Sequence, residues 1–435
     1  MSSPPRGSRT DSRPSSRRAF LGTAGAVGLV ALSGCTVQGF KDRKIRSRSA
    51  PAPTTDSVGD GWPARRHDAR NRGRAPGPGP GSKPGVVWQY EWPNGAAWLR
   101  HEPAVVGDTV YATEYNDGHL VALDLADGTP TWHVGLSDDD WETTGPTVVS
   151  GPDRDLVLVG RHGTLYAYDR RGTQQWTTGD RLSGAVRGVT VAGDTAFVAT
   201  ADGRPALYAV DLADGRTRWR QETGLLEAPP AVTGGLVVAG DMDGQLVGVD
   251  RESGAEHWEA PVGAAWTKSA PLVDDTTVYV GASDPEFDAG AITAVNIVTG
   301  QREWRRRLTE VGVDSSLALG PENLYAATFA GDLLALDPDT GAERWSFSPS
   351  NPFGDDSDGD VYADNSPTVA GDHVFYTGAG NRLYAVSQSP ASVAGRTRAD
   401  WSVDLGDLFA PPVVAGDHLF VASERGVTCL GPSDG

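Results

Sequence analysis

The sequence predicts an all-β chain folded as a closed, eight-bladed β-propeller of four-stranded antiparallel blades. Three observations carry this reading: a repeat that ends in tryptophan, short alternating apolar runs separated by Gly-Asp or Asp-Gly pairs, and a tryptophan strand placed ahead of the first full repeat.

The first full unit starts at Glu102 (EPAVVGDTVYATEYNDGHLVALDLADGTPTW) and closes at Trp132, and further units close at Trp176, Trp219, Trp258, Trp304, Trp345 and Trp401. An eighth unit begins at Ala410 and has no tryptophan of its own; the missing one is Trp88, in Gly85-Val86-Val87-Trp88-Gln89-Tyr90. From Trp88 onward the spacings are 44, 44, 43, 39, 46, 41 and 56 residues, around the roughly 40 to 50 expected of one blade. Within each unit three apolar runs and a fourth holding the tryptophan read as a meander joined by tight hairpins. Radial repetition protects sheet edges that a flat sheet of this size would expose. A strand from residues 83–92 is therefore expected to complete the last blade and close the ring.

Before most tryptophans the spacing A-x-D-x-x-x-G-x-x-x-W recurs, as in Ala122, Asp124, Gly128 and Trp132, or Ala335, Asp337, Gly341 and Trp345. Glycine supplies a positive φ, aspartate accepts hydrogen bonds from turn amides, and the small alanine is expected to admit an indole from the neighbouring sheet. Gly248, Asn296 and Ser387 depart from the pattern. The eight tryptophans read as structural docking residues.

This pattern resembles the tryptophan-docking repeat of pyrroloquinoline-quinone (PQQ)-type propellers, whose two main branches are quinoprotein dehydrogenases and BamB-like lipoproteins of outer-membrane assembly. Trp62-Pro63, His67-Asp68-Ala69 and Asn71-Arg72-Gly73 look like the lead-in common before the first blade of that superfamily. The resemblance covers residues 62–431 and implies the fold more strongly than the activity.

Residues 1–34 read as a twin-arginine lipoprotein signal peptide. Arg17-Arg18 with Phe20-Leu21 resembles a twin-arginine export signal, the apolar run Gly22–Leu32 is too short to span a bilayer, and Leu32-Ser33-Gly34-Cys35 resembles a lipobox. This implies cleavage before Cys35, lipidation of its thiol, and a protein anchored at the outer face of the cytoplasmic membrane. One lipid chain binds a membrane with an association constant of only about 10⁴ M⁻¹, so Lys41, Arg43, Lys44, Arg46 and Arg48 are candidates for a second contact. Residues 35–82, rich in Pro, Gly, Ser and Arg, form the lipidated cysteine and a flexible linker, and residues 83–435 the propeller.

The sequence favours a binding scaffold over an enzyme. Quinoprotein dehydrogenases, as the resemblance implies, need a catalytic carboxylate, bound Ca²⁺ and often a disulfide of adjacent cysteines; here the two cysteines, Cys35 and Cys429, are far apart and the units lack long insertions. No GxSxG, HExxH, CxxC or P-loop pattern occurs, and His119 and His162 read as hairpin-tip residues. Asp355-Asp356-Ser357-Asp358-Gly359-Asp360 lacks the glycine and glutamate of an EF-hand, and with Asp138-Asp139-Asp140 it reads as solvated surface. Neither PQQ nor a metal is expected, and a quinoprotein dehydrogenase or a surface-glycan binder stands as the alternative.

A partner is expected on the rim formed by loops entering each innermost strand, which carries Arg100, Trp141, Arg187, Glu227, Trp266, Lys268, Asp314, Asp364 and Asn365. Trp141 and Trp266 lie outside the docking series, and aromatic and arginine content marks interaction surfaces. The expected partners are other membrane or extracytoplasmic proteins, met by a monomer.

The formal charge of −19 argues against nucleic acid, because phosphate recognition needs a Lys/Arg-rich face. The first 34 residues hold five arginines against one aspartate, so the remainder is more acidic still. Only four lysines occur (Lys41, Lys44, Lys83 and Lys268), a balance that resembles proteins of salt-loving archaea. Near 1 M salt the Debye length is roughly 3 Å, short enough to mute repulsion across such a surface. The melting temperature is accordingly expected to fall when salt is lowered from molar to millimolar; an unchanged melting curve refutes the adaptation.

Overall fold

The computed structural model describes residues 61–433 apart from 93–100, 115–117, 137–142, 152–153, 287–288, 350–364, 379–381, 391–396, 407–409 and 424. Cys35, Arg17, Arg18, Arg100, Trp141, Asp364 and both acidic clusters lie outside the described residues. Among the described residues no helix is long and apolar enough to cross a membrane.

The described secondary structure is all β, arranged as eight four-stranded antiparallel sheets that form the expected eight-bladed propeller. Seven blades are consecutive meanders. Blade 1 runs through Ala104–Val106, Thr109–Glu114, His119–Asp124 and Pro130–Gly135; blade 5 through Leu272–Val273, Thr277–Ser283, Ala289–Asn296 and Arg302–Thr309. Blade 8 takes Val413–Ala415, His418–Ser423 and Gly426–Gly431 from one part of the chain and its outer strand, Gly85–Glu91, from another. That strand pairs antiparallel with Gly426–Gly431, setting Trp88 opposite Cys429. The ring thus closes where the upstream tryptophan said it would.

Middle strands are buried on both faces, as in Thr195–Ala201, because each sheet packs between two others and the core lies between blades. The indoles fasten this stack. Trp88 Nε1 in blade 8 donates to the Leu125 carbonyl of blade 1 (2.8 Å), and Trp132, Trp176, Trp219, Trp258 and Trp304 donate to Arg170, Leu212, Arg251, Ile297 and Pro338 of the following blade. Each acceptor directly follows the aspartate, or Asn296, whose side chain takes the turn amides, as Asp124 does from Ala126 (2.9 Å).

The packing corrects one expectation. Ala122 is the cross-strand partner of Trp132 in its own blade, and a Cβ on Gly248, which replaces the alanine in blade 4, would come within 2.3 Å of that blade's own Trp258. The neighbour's indole lies instead on the turn glycine: a Cβ on Gly128 would stand 2.5 Å from Trp88. Gly128 also has φ 71°, so two constraints demand glycine there. In six blades an aromatic residue of the second strand packs on the docking tryptophan, as Tyr111 does on Trp132 and Phe420 on Trp88.

Trp345 and Trp401 are buried as well. Trp401 differs in that its Nε1 finds no acceptor among the described residues. The cause is topological: it faces blade 8, whose outer strand arrives from residues 85–91, so no turn between third and fourth strands offers a carbonyl.

Innermost strands leave unpaired backbone groups facing the axis, and the lead-in segment satisfies many of them. Trp62 exchanges two backbone hydrogen bonds with Val105 in blade 1; the carbonyls of Pro63, Ala69, Arg70, Arg72 and Gly73 accept from Val148, Val232, Val273, Leu319 and Val369; Gly79 donates to Gly416 of blade 8. The segment therefore touches seven of the eight blades. Buried Arg66 and Asn71 adopt positive φ (59° and 56°), strain held in place by these contacts. Glu102 accepts from Trp62 Nε1 (2.9 Å) and from the backbone and guanidinium of Arg66, whose Nη2 also reaches the Leu317 and Pro367 carbonyls.

Deleting residues 83–92 is expected to lower the melting temperature of the whole propeller, because it strips blade 8 of its outer strand and of a buried indole worth about 3–5 kcal/mol on truncation to alanine. Melting like that of the intact chain contradicts ring closure.

Candidate protein-docking rim

Of the expected rim residues within the described structure, Glu227, Trp266, Lys268, Asp314 and Asn365 sit in loops that enter an inner strand, and Arg187 lies at the start of one. Arg187 is the bulged residue of Ala185–Ala192, where the register shifts between Val186 and Gly188. A bulge re-aims a side chain, and here it lifts the guanidinium out of the ladder toward the next blade. Its Nε stands 3.4 Å from Glu227 and its Nη2 3.8 Å from Asp202. Gly188 permits this because Pro229 packs so close that a Cβ would lie 2.3 Å away.

The loop before blade 5 is held by two backbone hydrogen bonds between Trp266 and Ser283 (2.8 and 3.0 Å), which present the partly exposed indole. Lys268 Nζ lies 4.9 Å from that ring centroid and 3.4 Å from Asp314 Oδ2. A cation over an indole contributes about 0.5–1 kcal/mol at exposed sites. Asp314 Oδ1 also accepts a short hydrogen bond from Ser283 Oγ. Arg187 with Glu227 and Lys268 with Asp314 thus form two inter-blade ion pairs, partly open to solvent. Asn365 sits differently: it is buried and its Nδ2 donates to the Thr328 carbonyl (2.9 Å), tying blade 7 to blade 6.

Two apolar rim residues escaped the sequence reading. Leu225 is 39% exposed, one of two large hydrophobic residues exposed among the described residues. Its carbonyl accepts from the amide of partly exposed Met242, on the hairpin of blade 4 that also packs at Gly244 against the Ala264 carbonyl. That hairpin joins Leu225 to the Trp266 loop. The carboxyl of Asp241 braces it, accepting from the amides of Asp243 and Gln245, and burial pushes that carboxyl above the usual range. The available signal was compositional: Met242 is one of only two methionines, and methionine is over-used at adaptable binding surfaces.

The rim of blades 3–6 therefore combines an apolar strip with two partly exposed ion pairs, which suits noncovalent contact. Among the described residues no group of three or more His, Cys, Asp or Glu side chains is placed to hold a metal ion. Cys429 is buried in blade 8, where desolvation raises its thiol pKa well above the ordinary value.

Comparison with known proteins agrees with this architecture. A BamB from Yersinia pestis, titled outer membrane protein assembly factor, is 25% identical over 380 residues, covering 79% of this chain and 87% of the relative. The same factor from Burkholderia pseudomallei is 26% identical, covering 60% and 68%. Among solved structures, BamB from Moraxella catarrhalis superposes with a TM-score of 0.61 at 18% identity, covering 80% of this chain and 99% of that one. The quinohemoprotein alcohol dehydrogenase of Comamonas testosteroni reaches 0.65 at 14%, covering 85% and 80%, so structural likeness at this level speaks for the fold alone. The family described as PQQ_2, outer membrane protein assembly factor BamB, matches residues 81–221 and 206–435, and with the repeat, the closed ring and the docked indoles in place, the chain belongs to that family.

Proposed function

We propose that this protein is a noncatalytic docking scaffold, exported and held by a lipid on Cys35 at the outer face of the cytoplasmic membrane, that binds other extracytoplasmic proteins through the rim of blades 3–6. The observation that carries the reading is the joining of Leu225, Met242 and Trp266 into one partly exposed strip flanked by the Arg187–Glu227 and Lys268–Asp314 pairs. Aromatic and apolar anchors ringed by polar groups are the arrangement that holds protein partners. Relatives titled as assembly factors support a scaffold over an enzyme.

The chemistry of the donors speaks against a calcium-held quinone. Calcium takes six to eight oxygen ligands. Here Glu102 is already spent on Trp62 and Arg66, and Asp314 on Lys268 and Ser283. Adjacent cysteines, which would cover a quinone ring, are absent from the sequence.

Two measurements test the proposal. With a photocrosslinker at position 225, the exported full-length protein is expected to capture a membrane or extracytoplasmic partner, and the pair Trp266→Ala with Lys268→Glu to cut that capture at least ten-fold, the scale of a lost interface hot spot of about 2 kcal/mol. Undiminished capture rules out this rim. Separately, Cys35→Ala is expected to move the protein from the membrane fraction to the soluble one; retention with the membrane overturns lipid anchoring.

A further inference from the structure

The outer strand of blade 5, Arg302–Thr309, reads Arg-Glu-Trp-Arg-Arg-Arg-Leu-Thr and gathers four guanidiniums on one strand of a chain whose formal charge is −19. Trp304 and Arg306 turn toward blade 6, where Trp304 Nε1 meets the Pro338 carbonyl and Arg306 pairs with Glu343 (2.6 Å). Arg305 turns the other way: its guanidinium lies against Gly263 and donates to the Pro261 carbonyl (2.6 Å) and Thr293 Oγ1 (3.3 Å), both uncharged. Arg302 and Arg307 are exposed. Among the described residues no carboxylate pairs with Arg302, Arg305 or Arg307, and burial together with the charges of Arg302 and Arg307 pushes the Arg305 guanidinium below its usual pKa.

Arginines on other outer strands are paired with carboxylates. Arg218 pairs with Asp194 and Asp211 (2.7 Å each), Arg220 with Glu222 and Arg344 with Asp337. Like charges left together repel, so a cluster of this kind suits an anion. Its shape says which. Arg302–Thr309 is the edge strand of its sheet, pairing on one side only with Ala289–Asn296. Its free side offers backbone N–H and C=O groups, and Arg305 and Arg307 stand two residues apart, about 6.6 Å along the strand. At the head of the strand, the turn residue Val298 is 74% exposed, the more open of the two exposed large hydrophobic residues described. A flat anionic membrane would also meet exposed Glu256 and Glu259 on the adjacent outer strand of blade 4, Glu256–Pro261, and be repelled; a single strand would not.

We propose that the outer edge of blade 5 is a second docking site, distinct from the rim, at which an extended acidic segment of a partner protein adds as a fifth strand. Carboxylates at alternate positions of that segment face Arg302, Arg305 and Arg307, its backbone pairs with the free edge, and an apolar residue at one end covers Val298. Main-chain hydrogen bonds supply affinity in such strand addition, and alternate side chains supply selectivity.

The test uses the intact propeller-bearing chain and a fluorescent ten-residue peptide alternating Glu with Thr and ending in Val. Binding is expected to weaken with salt, to slow hydrogen exchange in residues 302–309, and to fall at least ten-fold in Arg302→Glu with Arg307→Glu, both exposed positions. Arg216→Glu, an exposed change in the turn that enters the outer strand of blade 3, is expected to leave binding unchanged. Equal binding of a peptide of the same charge interrupted by prolines overturns strand addition, and full binding by the double variant overturns the site. Binding of phosphatidylglycerol vesicles with no binding of the peptide assigns the edge to lipid and refutes the proposal.

Discussion

An indole at the end of one blade lies on the turn glycine of the next and donates its N–H to the carbonyl following the turn aspartate, and the rest of the ring depends on that contact. It solves a problem that each sheet cannot solve alone, since a single four-stranded meander has two apolar faces and no partner. Because each socket is shared by two blades, loss of one weakens both, and the stack acts as a unit. Glycine is required twice over at the contact, by the left-handed backbone and by the indole face, which leaves no room for a Cβ.

The same rule exposes the seam. Blade 8 is assembled from two distant stretches of chain, so Trp88 reaches blade 1 in the usual way while Trp401, facing the composite blade, has no turn to bond. A buried N–H without an acceptor costs about 1–3 kcal/mol. The lead-in segment offsets this locally weak closure by threading the axis and hydrogen-bonding inner strands around the ring. Arg66 and Glu102, both buried, are held by each other and by backbone groups.

Among the described residues many carboxylates meet an arginine or a turn amide. The rim of blades 3–6 sets ion pairs beside exposed apolar groups, and at the edge of blade 5 Arg302, Arg305 and Arg307 stand without a paired carboxylate among the described residues. Both belong to surfaces that meet solvent.

What the sequence alone determined is the periodic part: eight blades, the docking of Trp88 and of Trp132 through Trp304 onto the following blade, the upstream strand that closes the ring, and the turn chemistry of Asp124 or Gly128. These are legible because each blade repeats one local solution to burying two sheet faces, and a repeat shows in spacing. Tertiary structure alone decided which indole meets which small residue, since Ala122 and Gly128 are both close to Trp132 in sequence while only the register of strands assigns Trp132 to the first and Trp88 to the second. It also decided the rim and the blade 5 edge. Arg187 meets Glu227, and Leu225 meets Met242, through loops of neighbouring blades, and no spacing within one repeat encodes a contact between two repeats whose loops differ in length and composition.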